Sequence, residues 1–252
     1  MKDKLYNEIV DLLAEELLGY KDTILDILNE YTDFESLSTL ILEKRGFQFD
    51  GSKKGIQFID KLRDFFHKKE IDYETSLWII TRWGGIGSFK DNNTNQNRIR
   101  NLEAALKRRS FNKDSFGVVS SLSKIASFLN HEEYFVYDSK VIYSLNWLIL
   151  KKKILNPQFF PMPDSRSSTL TLFDLNTVIN LFYKDQIEDK KWKEDLYINT
   201  KDAYFVYCDL IKELNKRLFA NHKPYYLEML LFVIADNIIF KDLKSSLTLT
   251  IK

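Results

Sequence analysis

Ser120–Val141 reads SSLSKIASFLNHEEYFVYDSKV. The stretch begins with a helical pattern, passes through the aromatic residues Tyr134, Phe135 and Tyr137, and delivers a lone aspartate, Asp138. The strongly apolar run VIYSLNWLIL (Val141–Leu150) follows. Ser123 is a good N-cap residue, which predicts a helix over 124–130 with Lys124 in its first turn. Asp138 stands where a second helix is expected to open, and aspartate is a strong cap there. The expected unit is therefore two successive helices whose N-termini point into one cleft.

Helical periodicity also dominates away from this stretch. Leu5, Ile9, Leu12, Leu13 and Leu17 share one face, with Gly19 as an expected C-cap. The pattern returns in GIQFIDKLRDFFHKK (Gly55–Lys69) through Ile56, Ile59, Leu62 and Phe66. NRIRNLEAALKRR (Asn97–Arg109) is amphipathic through Ile99, Leu102, Ala105 and Leu106. ETSLWIITRW (Glu74–Trp83) is more uniformly apolar, and Asp202–Phe219 and Pro224–Phe240 close the chain as two long predicted helices. Strand signals are confined to EYFVYD (Glu133–Asp138) and SLTLTIK (Ser246–Lys252). Only 8 glycines and 4 prolines occur, fewer than hairpin-rich folds generally use. Two stretches are expected as loops, Gly84–Asn97 and Asn156–Leu170. The fold class is mainly α, one domain over 1–252. It divides into an N-terminal helical segment (1–77), a central segment (78–155) and a C-terminal helical segment (156–252), arranged as two lobes.

Composition narrows the function classes. With 44% hydrophobic and 29% charged residues, the chain has the balance of a soluble globular protein. No apolar run approaches the roughly 18 residues that span a bilayer. The start MKDKLYNEIVDLL has acids too early for a secretory signal, so a cytoplasmic location is expected. A single cysteine, Cys208, excludes an internal disulfide and a four-cysteine metal site. His67, His131 and His222 are far apart in sequence, so neither a metal nor a cofactor is expected, although carboxylates can hold magnesium. The net charge is +1, so a nucleic-acid site must be a local patch. Arg98, Arg100, Lys107, Arg108, Arg109 and Lys113 make one, against Glu103 alone, and Lys151–Lys153 make a second. Solvated helix faces are the competing reading of both.

Lys124 and Asp138 carry the chemistry. The free N–H groups of a helix start disfavour an ammonium ion, and a dry site lowers the amine further. A neutral lysine amine is a nucleophile that forms a Schiff base with a sugar aldehyde. A carboxylate beside an aromatic wall stabilises positive charge developing on a sugar ring. The two residues lie fourteen positions apart. The competing readings are an exposed lysine and a plain helix cap.

SKIA (Ser123–Ala126) and YDSKV (Tyr137–Val141) resemble the helix-hairpin-helix DNA glycosylases, in particular their bacterial 8-oxoguanine glycosylase-fold branch. The similarity spans roughly Trp78–Leu150. It implies a two-lobed helical fold with a cleft, Lys124 as nucleophile and Asp138 as catalytic aspartate. It also implies a double-stranded DNA partner, a monomer, no cofactor and no membrane. TNQNRI (Thr94–Ile99) is similar to the family's asparagine-rich stretch, which implies Asn93 as the residue filling the gap left by a flipped base. Arg98 is then the contact to the opposite base. The hairpin stretch FGVVSSLSK carries only Gly117, so Ser120, Ser121 and Ser123 are the expected hydroxyl donors to phosphate, with Lys140 beside them. Trp83, Gly84, Gly85 and Phe89 are expected around the base, and Tyr183 and Trp192 are stacking or core residues. The implied reaction is removal of a damaged or modified base, 8-oxoguanine or a hypermodified cytosine of the phage type, with or without strand cleavage through a Schiff base. Repair and phage defence both remain open. The alternatives are a non-catalytic helix-hairpin-helix DNA-binding module and an all-α scaffold.

Overall fold

A computed structural model describes residues 2–154, 157–164, 167–184 and 196–248. Among them the chain is helical, with no strand and only two isolated bridges, Asp33 to Lys54 and Phe159 to Tyr197. No described helix is long and apolar enough to cross a membrane. Trp192 and the end of the predicted C-terminal strand, residues 249–252, lie outside the described residues.

The N-terminal segment holds α1 (Lys2–Leu17), α2 (Ile24–Tyr31), α3 (Leu40–Glu43), α4 (Ile56–Phe66) and α5 (Tyr73–Trp78). In α1 the buried positions are Val10, Leu13 and Leu17, one helical stripe. Gly19 is not a left-handed cap; α1 tightens instead into a 3-10 turn over Leu18–Tyr20. The chain of α5 runs on into a π-turn, Ile79–Trp83, closed by Gly84 N–H donating to the Ile79 carbonyl at 2.8 Å. Such wide turns cluster at functional sites.

The central segment contains α6 (Asn93–Arg100), α7 (Leu102–Arg108), α8 (Lys113–Phe116), α9 (Val119–Leu129) and α10 (Ser139–Lys151). The expected single helix over 97–109 is broken at Asn101, and its first half starts earlier, inside the expected loop. Asn92 explains the shift: its side chain accepts from Asn95 N–H and caps α6. The expected strand Glu133–Asp138 is an irregular connector. Every residue of α10 from Val141 to Leu150 is buried, which accounts for its being apolar all round.

After α10 come α11 (Ser168–Thr171), α12 (Leu175–Phe182), α13 (Thr200–Leu218), α14 (Tyr225–Ile234), a second π-turn (Ala235–Ile239) and α15 (Phe240–Ser246). The helix α10 packs chiefly on α14, α14 also meets α2, α1 lies on α13, and α9 lies against α4 and the first π-turn. N-terminal, central and C-terminal segments thus share one core. Cys208 sits in it, and burial pushes its thiol up to about 12, so it acts as a core residue.

Candidate active site

Asp138 is the N-cap of α10: its Oδ1 accepts from Lys140 N–H at 3.0 Å. Its Oδ2 accepts from Lys124 Nζ at 3.3 Å. The cap and the site are therefore two uses of one carboxylate. Lys124 is 5% exposed. It does not open its helix, as the sequence predicts; α9 starts at Val119, and Lys124 occupies its middle. Ser123 is not a cap because its side chain faces the interior, where Oγ accepts from Tyr137 N–H at 3.0 Å. Lys124 is therefore remote from the free N–H groups at the start of α9. Burial beside a carboxylate is what distinguishes this lysine.

The connector carrying Asp138 has no strand partner, so its backbone groups bond to side chains. Ser120 Oγ donates to the Tyr137 carbonyl at 3.1 Å, and Tyr207 hydroxyl donates to the Val136 carbonyl at 2.9 Å. Val136 N–H donates to Glu228 Oε2 at 2.9 Å. Side chains from α9, α13 and α14 thus fix Asp138 relative to Lys124.

The pair lies in a cavity of about 950 Å³. Trp83, Gly84, Gly85 and Phe89, expected around a base, all line it, as do Ser120, Ser121, Arg98 and Lys140. Gly84 leaves room for the Lys124 stem, which a side chain there would meet. Trp83 stands edge-on to Phe128 at 4.9 Å, and Phe89 is a buried wall. Arg98 is held by an ion pair with Asp114 and donates to Asn95 Oδ1 at 2.7 Å. Lys140 pairs with Asp236 and lies over the Phe232 ring at 4.8 Å. Asn93 is exposed on the first turn of α6 and lies outside the lining, whereas Asn95 lies within it. Ser123 is fully buried and cannot reach a phosphate, and the Ser120 hydroxyl is committed to Tyr137. Tyr183 packs on Phe159, away from the cavity. Lys151 and Lys152 are paired with Glu16, Asp242 and Glu15, so the second basic run is largely neutralised.

The cavity also contains a second buried pair that the sequence reading missed. Arg63 is fully buried, Glu228 is 4% exposed, and Arg63 Nη2 stands 3.6 Å from Glu228 Oε1. Burial pushes the Glu228 carboxyl above its usual range, Asp138 adds to this, and Arg63, Val136 N–H and Lys124 oppose it. Both residues left a trace in the sequence. Arg63 falls on the stripe of Ile56, Ile59 and Phe66, and Glu228 is the only charge between Pro224 and Ala235.

His67 and His131 meet in the fold. Distant in sequence, their rings lie 4.4 Å apart, with His131 Nε2 at 3.0 Å from Asp64. Among the described residues, however, no three histidine, cysteine or acidic side chains are placed to hold a metal.

No protein-family model, curated protein or solved structure matches the chain.

The geometry stands on its own chemistry. A buried primary amine touches a carboxylate in a cavity large enough for a nucleotide-sized group. Aromatic rings flank it and a helix bearing Arg98 stands at its edge.

Proposed function

We propose that the protein is a DNA N-glycosylase acting on a nucleotide flipped out of duplex DNA, with Lys124 as nucleophile. The observation that carries this reading is the Lys124–Asp138 contact of 3.3 Å inside the cavity. The proposed architecture is the two-lobed helix-hairpin-helix arrangement, with α8, Gly117 and α9 as its hairpin.

In the proposed reaction the Lys124 amine, once deprotonated, attacks the anomeric carbon of the flipped nucleotide. The glycosidic C–N bond breaks, its electron pair goes to the base, and the base takes up a proton. Asp138 stabilises the positive charge that develops on the sugar ring. The amine adduct opens to a Schiff base, from which β-elimination cleaves the strand. Flipping exposes the base, and its cost is least for a damaged or mismatched pair. DNA approaches from the side of α6 and α7, whose Arg100, Lys107 and Arg108 neutralise phosphates. A cytoplasmic monomer is proposed.

Trapping with borohydride on duplex DNA containing an abasic site tests this directly. The expected result is a covalent protein–DNA adduct that disappears in Lys124→Ala. Salt-sensitive binding without an adduct would replace the lyase by a water-using glycosylase or a non-catalytic binding module. Excision of a modified base from a duplex separates those two.

A further inference from the structure

The face of α14 that lines the cavity is apolar apart from one residue. Met229, Phe232 and Val233 line it beside Glu228, the single charge in the helix. Phe232 is 41% exposed, and Met229 and Val233 are half-buried, so this wall is open to a ligand. The Glu228 side chain keeps 6% of its surface, the same fraction as the side chain of Lys124.

The two oxygens of Glu228 are used differently. Oε2 accepts from Val136 N–H at 2.9 Å. Oε1 accepts no hydrogen bond among the described residues. Arg63 Nη2, at 3.6 Å, balances its charge without donating to it. The guanidinium itself is sealed among the rings of Tyr225, Trp83 and Phe128. The open end of this ion pair is therefore the oxygen and not the arginine.

The charge of Glu228 follows from the same pair. Arg63 stays cationic, so a protonated Glu228 would leave a buried charge unmatched. A carboxylate can only accept hydrogen bonds. The neighbouring carboxylate is already occupied, since Asp138 accepts from Lys140 N–H and from Lys124 Nζ. An apolar wall interrupted by one uncommitted acceptor is the pattern of a pocket that orients a flat ligand.

Resting on the glycosylase reading, we infer that Glu228 reads the base, its Oε1 accepting from an N–H group on the edge of a ring laid along the Met229–Phe232 face of α14. A ring presenting a lone pair there sets acceptor against acceptor and leaves the carboxylate desolvated without a partner. The substrate class is thereby narrowed to bases that carry an amino group or a protonated ring nitrogen on that edge. Glu228 is a specificity-determining residue, distinct from Lys124 and Asp138.

The test uses the full chain and duplexes whose target nucleotide carries a 2′-fluoroarabino sugar, so that binding is measured without excision. Two matched pairs of targets differ in their amino groups: 2,6-diaminopurine against purine, and cytosine against 2-pyrimidinone. Each stands opposite a tetrahydrofuran site, so that no base pair is broken on flipping. A duplex with tetrahydrofuran as the target serves as the reference. In at least one pair the amino-bearing base is expected to bind about tenfold tighter than its counterpart, the scale of a charged hydrogen bond. Glu228→Gln turns an amide N–H to the cavity when its oxygen holds Val136 N–H, so the preference should vanish or reverse. Should loss of the charge facing Arg63 prevent folding, Arg63→Met with Glu228→Gln removes both charges and decides instead. Equal binding within both pairs, or a preference that survives in the folded variant, overturns the inference and leaves the glycosylase reading intact. Failure of the wild type to bind any of the duplexes, the reference included, removes both.

Discussion

A Cβ atom on Gly84 would stand 2.6 Å from Lys124 Cε and 2.8 Å from the Ile80 carbonyl oxygen. The lysine therefore reaches Asp138 because a glycine closes the π-turn beneath it. Gly84 has φ −82, which alanine adopts freely, so Gly84→Ala tests space and not backbone strain. The flexible lysine stem must yield, and the contact with the Ile80 carbonyl forces a small backbone shift as well. The variant should remain folded at a cost of about 1–3 kcal/mol, as for overpacking in general. Its borohydride adduct yield should drop about tenfold, since small displacements of reacting groups cost rate steeply. An unchanged yield would show that Lys124 need not lie where it does.

Asp138 is both a cap and the partner of Lys124, and one substitution separates the two. Asparagine caps a helix about as well as aspartate, whereas alanine costs about 1 kcal/mol. Asp138→Asn therefore keeps the start of α10 but removes the charge that the proposed reaction sets against the sugar. Excision should fall about 100-fold, the scale of losing one electrostatic stabiliser, with little loss in melting temperature beyond that of the ion pair. Wild-type excision in the asparagine variant would leave Asp138 with capping alone.

Much of this was legible in the sequence, and the failures have physical causes. Period-3.6 patterns located most of the helices, and Asp138 was placed correctly as a cap. The same rule misplaced Lys124, because Ser123 has a buried use that outweighs its capping preference: it binds the backbone of Tyr137. Asparagines at 92–97 suggested a loop, yet Asn92 caps a helix that contains the others. The alternation in Glu133–Asp138 resembled a strand, but its backbone partners are side chains from three helices. Arg63 and Glu228 could have been found, since each interrupts an apolar stripe. Their pairing could not, because it joins helices distant in sequence.

His131 makes stability depend on pH. Burial first, then the nearby His67, Lys223 and Arg63, hold its imidazole down to about 4, against 6.5 for an ordinary histidine; Asp64 opposes them. Between those values the unfolded chain binds more protons than the folded one. Stability is therefore complete above pH 6.5 and falls as pH drops toward 4, by roughly 3 kcal/mol in all. Glu228 works in the opposite sense: its raised carboxyl makes stability decline as pH rises above 4.5. Comparing the wild type with His131→Gln isolates the histidine. Urea unfolding across pH 4.5–7.5 should give a flatter stability curve in the variant; identical slopes would assign the acid sensitivity elsewhere.

Arg98 lines the cavity, yet its guanidinium is engaged by Asp114 and Asn95. To contact the base opposite a flipped nucleotide, it must leave a carboxylate that is itself 59% exposed. Such a solvent-exposed pair is weak and screened by salt, so releasing the arginine costs little. Asp114→Asn removes that competitor, and with it a negative charge beside the basic residues of α6 and α7. Duplex affinity should therefore rise, by up to about fivefold at low salt, and the gain should shrink as salt screens the pair. Arg98→Ala should weaken binding and abolish the effect of Asp114→Asn in the double variant. Binding isotherms over a salt series measure both. If Asp114→Asn leaves affinity unchanged while Arg98→Ala destabilises the fold, Arg98 is a strut between α6 and α8 and its proposed contact to DNA falls.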